Sequence, residues 1–182
     1  MELINNMIYF ISDTHFCHKN IIKSCNRPFE NVTQMNDAMI ANWNQVVGNT
    51  DEVYILGDFC YRGTVEQTHE ILDSLNGKKH LIIGNHDLYL KKQDFNRSAF
   101  LSISHYHELS YLDARFILFH YPIVEWAHYF RKSVHLYGHI HYQIQPINDE
   151  WSKRAISVAA DLINFTPISA DEIYSRVLKD RK

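Results

Sequence analysis

Val53-Tyr54-Ile55-Leu56-Gly57-Asp58 is a short apolar run that stops at a glycine and then a carboxylate. A run of this length, rich in Val, Ile and Tyr and lacking polar alternation, reads as a strand buried on both faces. The same punctuation recurs along the chain. Met7 to Ile11 stops at Ser12-Asp13, Leu81 to Ile83 at Gly84-Asn85, Phe116 to Phe119 at His120, and Val134 to Tyr137 at Gly138-His139. Between these runs lie helical patterns. Met35, Met39, Trp43, Val46 and Val47 recur at helical spacing and predict a helix over about Thr33 to Val47. Val65, Ile71, Leu72 and Leu75 predict another, closed by Gly77. Ser169-Ala170-Asp171-Glu172 is a capping-box pattern opening a helix that carries Ile173 and Val177. His105 to Leu112 and Arg115 to Phe119 are expected to pair around Asp113-Ala114, and Arg154 to Ala160 to form a further strand. Strands alternating with helices early, then several strands late, predict a mixed-sheet α/β fold with helices on both faces.

The 182 residues, 46% of them apolar, suit one domain spanning the chain. That apolar fraction and a net charge of −3 exclude a disordered chain and argue against a broadly basic nucleic-acid binder. No stretch approaches the roughly 18 consecutive apolar residues of a membrane span. Met1 to Asn6 has no basic region ahead of an apolar run, and Cys17, Cys25 and Cys60 contain no Cys-x-x-Cys pair. Reduced thiols, a cytoplasmic location and no membrane partner are expected. Oligomeric state is left open. The 12 histidines outnumber the 6 glycines two to one, and their positions matter more than their number.

Each strand end carries a potential metal ligand, and in open α/β sheets ligands gather outside the carboxyl ends of the strands. With neighbours included, the groups are Asp13-Thr14-His15, Gly57-Asp58, Gly84-Asn85-His86-Asp87, His120 and Gly138-His139-Ile140-His141. Carboxylate, amide carbonyl and imidazole together suit Mn, Fe, Zn or Ni better than Mg or Ca, which prefer oxygen alone. No cysteine belongs to the set, so a structural zinc site is not expected. Asp13, His15, Asp58, Asn85, His120, His139 and His141 are too many ligands for one ion. They fit two ions about 3.5–4 Å apart sharing one carboxylate, an arrangement suited to in-line displacement at phosphorus.

Taken in order, Asp-x-His, Gly-Asp, Gly-Asn-His-Asp, an isolated His and Gly-His-x-His resemble the calcineurin-like metallophosphoesterase superfamily, from Asp13 to His141. The resemblance implies a four-layered α/β/β/α sandwich with mixed sheets. It implies hydrolysis of phosphomonoester or phosphodiester bonds by a hydroxide bridging two metal ions, with Mn the first candidate. Asp13, His15 and His141 would hold one ion, Asn85, His120 and His139 the other, and Asp58 would bridge them. His86 would protonate the leaving oxygen or steady the charge developing there. One departure stands out: residues 57–63 read Gly-Asp-Phe-Cys-Tyr-Arg-Gly, whereas the phosphoprotein-phosphatase branch has Gly-Asp-x-x-Asp-Arg-Gly. In that branch the second Asp orients the catalytic His, and here Tyr61 takes its slot. Arg62 matches and suits bidentate contact with phosphate oxygens. Asn85, His18 and Arg27 are further candidate substrate contacts.

Cys25 to Phe29 and Ala159 to Ser169 resemble small stand-alone bacterial and phage members of the superfamily. The expected substrate is a phosphorylated small molecule or a nucleotide. The rivals are a nuclease acting on DNA or RNA ends or single strands, and a non-catalytic scaffold retaining the fold. Retention of His86 and every ligand counts against the scaffold. His105 and His107 read as the solvated face of a strand, and His69, His80, His128 and His135 have no evident partner. Trp126, Tyr129 and Phe130 read as a helical cluster belonging to the core rather than a base-stacking platform.

Overall fold

The computed structural model describes residues 6–142 and 149–177; Met1 to Asn5, read above for a targeting signal, lie outside them. Its first sheet has the order β4-β3-β2-β1-β9. It contains β1 (Ile8–Ile11), β2 (Glu52–Ile55), β3 (Lys78–Ile82), β4 (Ser102–Ser104) and β9 (Ile168–Ser169). β1 to β4 pair in parallel and β9 joins antiparallel. The second sheet runs β5-β6-β7-β8, from β5 (Tyr106–Tyr111), β6 (Ala114–Phe119), β7 (Ser133–Tyr137) and β8 (Ala155–Ser157). Only β5 is antiparallel there.

Successive side chains of a strand point to opposite faces, so each strand serves two cores. Ile11, Val53, Ile55 and Leu81 face α1 (Lys19–Ser24), α2 (Val32–Val46) and α3 (Val65–Ser74), meeting Ile21, Met35, Met39, Trp43 and Leu72. Phe10, Tyr54, Leu56 and Ile82 face the second sheet, meeting Phe116, Leu118, Val134 and Leu136. Ile117 and Tyr137 point away from it, under Trp126, Tyr129 and Trp151. The fourth layer is thin, made of the short helix α4 (Asp149–Arg154) and the turns between β6 and β7. Helices, sheet, sheet and outer layer are the mixed-sheet α/β/β/α sandwich that the family resemblance implies. Full burial of side chains such as Phe10 and Phe116 contributes roughly 1.5–3 kcal/mol each, so the inter-sheet core fixes how the two sheets face one another.

Local readings need four corrections. Trp126, Tyr129 and Phe130 sit on turns, not a helix; Trp126 and Tyr129 enter the core while Phe130 is exposed. The strand expected over Arg154 to Ala160 is confined to β8, because Arg154 ends α4 and Ala160 opens a 3-10 turn. His105 precedes β5 rather than alternating on it, and His107 stacks on Tyr54 at 5.5 Å. Gly77 lies two residues beyond the cap of α3 and, at φ +82°, turns the chain into β3. The final helix, α5 (Ala170–Val177), opens as read: the Ser169 hydroxyl accepts the Glu172 N–H at 3.1 Å.

Three histidines outside the strand-end set find structural partners. His80 meets the Ser102 hydroxyl at 2.8 Å and stacks on Tyr54, and His69 stacks on Phe95. His135 is fully buried, with Nδ1 and Nε2 each 3.1 Å from the carbonyls of Ile117 and Tyr121. Burial pushes its pKa down from 6.5 to about 4. The unfolded chain therefore takes up this proton at a higher pH than the native state does. The stability that neutral His135 contributes is complete above 6.5 and is lost as pH falls toward about 4. Urea unfolding of chelator-treated protein is predicted to weaken across that window, and His135→Asn to shallow the slope by about one proton. A slope unchanged in the variant would contradict this.

Candidate metal centre

Every residue of the strand-end set leaves its strand at the carboxyl edge of one of the two sheets, where the chain must turn sharply to bring a side chain inward. Asp13, His15, Asp58 and His139 all have positive φ, between 49° and 67°. Left-handed backbone at non-glycine positions costs energy that surrounding contacts must hold in place, and it concentrates at functional sites. Here the contacts are interloop hydrogen bonds. Asp13 N–H donates to Gly57 O at 3.0 Å, His15 N–H to Asp58 O at 3.0 Å, and Phe16 N–H to Phe59 O at 2.9 Å. Glycine precedes several ligands because no Cβ fits. One at Gly84 would lie 2.3 Å from an Asp58 carboxylate oxygen, and one at Gly138 2.3 Å from an Asp13 oxygen.

Two groups of donors result. Asp13, His15 and His141 bring ligand atoms within 4.8 Å of one another, as do Asp58, His120 and His139. Asn85 joins the second group, its Oδ1 lying 3.0 Å from His120 Nε2 and 3.0 Å from His139 Nδ1. Asp58 faces both groups. Its Oδ2 is 3.5 Å from His15 Nε2 and 3.6 Å from His120 Nε2.

This crowding has a definite electrostatic sense. His120 Nδ1 is 2.7 Å from Leu56 O, so the proton of the neutral ring sits there and Nε2 presents a lone pair. That lone pair confronts two further acceptors, Asn85 Oδ1 and Asp58 Oδ2. Neither ring nitrogen of His15, itself buried, has a hydrogen-bond partner among the described residues. Burial pushes His15 down to about 2 and His120 to about 4, so both rings stay neutral and keep a lone pair for a ligand. Burial likewise pushes Asp13 up to about 7, against a smaller opposing pull from His141. Lone pairs converging in a buried site are stabilised by a cation in their midst, and this nitrogen and oxygen donor set fits divalent transition metals.

Two carboxylates that sequence reasoning left without a role hold the candidate ligands in place. Asp161 Oδ2 is 2.7 Å from His141 Nδ1, which turns His141 Nε2 toward Asp13. Such carboxylate–imidazole pairs fix the ring and raise its basicity as a ligand. Asp87 is buried and accepts the backbone N–H groups of Asp58, Phe59 and Gly84 at 3.0, 2.9 and 2.7 Å. It ties the loop after β2 to the loop after β3. The only advance signal was position: Asp87 closes Gly-Asn-His-Asp, and Asp161 lies in the Ala159 to Ser169 stretch.

Arg27, expected among the substrate contacts, is not one. Its side chain is buried, and its guanidinium donates to both Asp161 oxygens, to the carbonyls of Thr14 and Asp13, and to Met35 Sδ. Those contacts occupy all five of its N–H groups. Cys25 lies close to His141 and Asp161, but Arg27 and His141 already occupy that carboxylate.

The remaining candidates gather at the rim. His86 places its ring 5.4 Å from that of His15, and its backbone N–H donates to Asp58 Oδ1 at 2.7 Å. Tyr61, in the slot that differs from the phosphoprotein-phosphatase pattern, packs edge-to-face on His86 at 4.7 Å and lies 4.3 Å from His18. It touches His86 through its ring, where that branch has a carboxylate. Arg62 is exposed, with its guanidinium 5.1 Å over the Tyr61 ring. Asn85 and His139 are also exposed, so the second group opens to solvent.

A sandwich of two mixed sheets with carboxylates, an amide and imidazoles converging at its strand ends defines a metal-dependent phosphoesterase. The chain matches the calcineurin-like phosphoesterase family model over residues 7–154 and belongs to that family. It is 36% identical over 179 residues to an uncharacterized protein of Methanocaldococcus jannaschii, covering 96% of this chain and 93% of that one. It is 38% identical over 82 residues to the gene 66 protein of Mycobacterium phage L5, 43% of this chain and 39% of that one. A solved protein of unknown function from Aquifex aeolicus is similar in fold, with a TM-score of 0.76 and 27% identity, covering 94% of this chain and 99% of that chain. Among the described residues, no helix is long and apolar enough to cross a membrane.

If Asp161 orients His141 as a ligand, Asp161→Asn should weaken metal binding about 10–100-fold. Competition with a chromogenic chelator measures this, and an affinity equal to that of the unaltered protein would refute the role.

Proposed function

We propose that the centre is dinuclear and hydrolyses phosphomonoester or phosphodiester bonds. The observation that carries this reading is the placement of one carboxylate oxygen, Asp58 Oδ2, at 3.5 and 3.6 Å from imidazoles of two different donor groups. Asp13, His15 and His141 would hold one divalent ion, Asn85, His120 and His139 the other, and Asp58 both. Manganese is the first candidate, and iron, zinc and nickel suit the same donors. When bound, two such ions polarise phosphate oxygens and acidify water to a nucleophile.

The chain's own residues supply the rest. His86, its ring 5.4 Å from that of His15, would donate a proton to the departing alkoxide of an ester held at the centre, or steady its charge. Tyr61 supports the His86 ring by edge-to-face packing, a weaker constraint than a charged hydrogen bond but a directional one. Arg62 and His18 line the approach beside Tyr61 and suit contact with phosphate oxygens. The open second group admits either a small phosphoester or a nucleotide.

His86→Ala should lower turnover roughly 10²–10⁴-fold while both metals remain, because no ligand atom is removed. Turnover unchanged in the variant would sink the role. A screen of Mn, Fe, Zn and Ni against generic phosphomonoesters, phosphodiesters, cyclic nucleotides and short oligonucleotides tests the reaction itself, and no hydrolysis in any pairing would refute it. Protons also compete with metal for these ligands. Because burial holds Asp13 up to about 7 and Asp58 above its ordinary value, release on acidification should begin above the usual carboxylate range. A chelator-competition series showing tight binding unchanged down to about pH 4 would contradict that.

A further inference from the structure

A cleft of about 500 Å³ is lined in part by the Gly84-Asn85 loop, and hydrolysis at the metal centre makes no use of its other residues. It shares Asn85 with the second donor group, and Tyr121 lies where the two adjoin. The Tyr121 ring lies 4.9 Å from that of His120 and 4.7 Å from that of His139, and its hydroxyl is 3.5 Å from Asn85 Oδ1. A ligand that fills the cleft therefore touches a side chain that also borders the metal centre.

The lining has a distinct chemistry. Leu88, Leu90 and Tyr121 offer apolar and aromatic faces, while Lys91, Arg97 and His105 bring basic groups. Neither Lys91 nor Arg97 forms an ion pair among the described residues. The lining's carboxylate, Asp87, is buried and already accepts three backbone N–H groups, so it is not available to neutralise them. Arg97 is also held in position, donating to Leu90 O at 2.8 Å. On a chain of net charge −3, this is a local concentration of positive charge beside an apolar surface. Its volume falls within the range of about 300–1,000 Å³ usual for small-ligand sites.

We propose that this cleft binds a second phosphate of a nucleotide-type ligand whose first phosphate lies at the metal centre. Lys91 and Arg97 would contact that phosphate, with the ring system lying against Leu88 and Tyr121. The proposal rests on the phosphoesterase reading for the first phosphate, and it deepens that reading by naming what selects the substrate. A lysine point charge and a guanidinium fork both suit phosphate oxygens, and aromatic faces accept a base with little regard to its identity. The cleft thus selects for a second phosphate more than for a particular base.

Equilibrium binding tests this without turnover. The metal-loaded protein is titrated by calorimetry with hydrolysis-resistant phosphonate analogues of a nucleoside monophosphate and of the matching bisphosphate. The bisphosphate analogue should bind at least about 10-fold more tightly, and Lys91→Glu or Arg97→Gln should erase that gain. Lys78→Glu makes the same charge change at the opposite end of β3 and should leave the gain intact. Equal affinity for the two analogues in the unaltered protein would overturn the proposal. So would a gain that survives at Lys91 and Arg97, or one that falls equally with Lys78→Glu. A protein that hydrolyses no ester can still pass this test, and an active hydrolase can still fail it, so the two readings fail separately.

Discussion

The arrangement of this molecule depends on one constraint: lone pairs from separate loops are brought together in a buried space where they repel one another. Asp58 stands at the middle of it, with imidazole nitrogens of His15 and His120 on either side of a single oxygen. Among the described residues, neither ring nitrogen of His15 has a hydrogen-bond partner to relieve that repulsion. In a well-satisfied interior such groups would be costly and rare. A positive charge placed among them would convert the penalty into binding energy, while the rest of the fold holds the loops together.

That holding is distributed. The inter-sheet core fixes the edge from which the loops emerge, and interloop hydrogen bonds among Asp13, His15, Phe16, Gly57, Asp58 and Phe59 set their spacing. Asp87 fastens the loops after β2 and β3, and Arg27 fastens the Asp13 and Thr14 carbonyls to Asp161. Arg27 and Asp161 form a buried ion pair, and Asp161 in turn orients His141. Removing one partner of such a pair leaves an uncompensated buried charge, which costs about 3–5 kcal/mol. Positive-φ backbone at Asp13, His15, Asp58 and His139 is the local expression of the same restraint.

The strands and the convergence of the candidate ligands at their ends were legible because both leave short-range signals. A buried parallel strand reads as an unbroken apolar run, and a ligand follows it at a fixed offset, as in Val53 to Asp58. The less visible parts depend on long-range contacts. Arg27 and Asp161 are 134 residues apart, and no periodicity links them. The sequence therefore offered Arg27 as a surface contact for substrate when it is a buried brace. Asp87 sat inside a recognised motif, yet its role lies in three backbone N–H groups whose positions only the folded loops define. The short elements β4, β9 and α1 escaped for a different reason: two to six residues carry too little pattern to distinguish a strand or helix from a turn.

The central claim is that Asp58 joins two metal ions in one centre. Elemental analysis of the purified protein loaded with manganese, beside Asp58→Ala treated identically, tests it most directly. Two ions per chain are expected in the unaltered protein, and a marked drop at both sites in the variant. Two ions fully retained by Asp58→Ala, or a single ion in the unaltered protein, would contradict it.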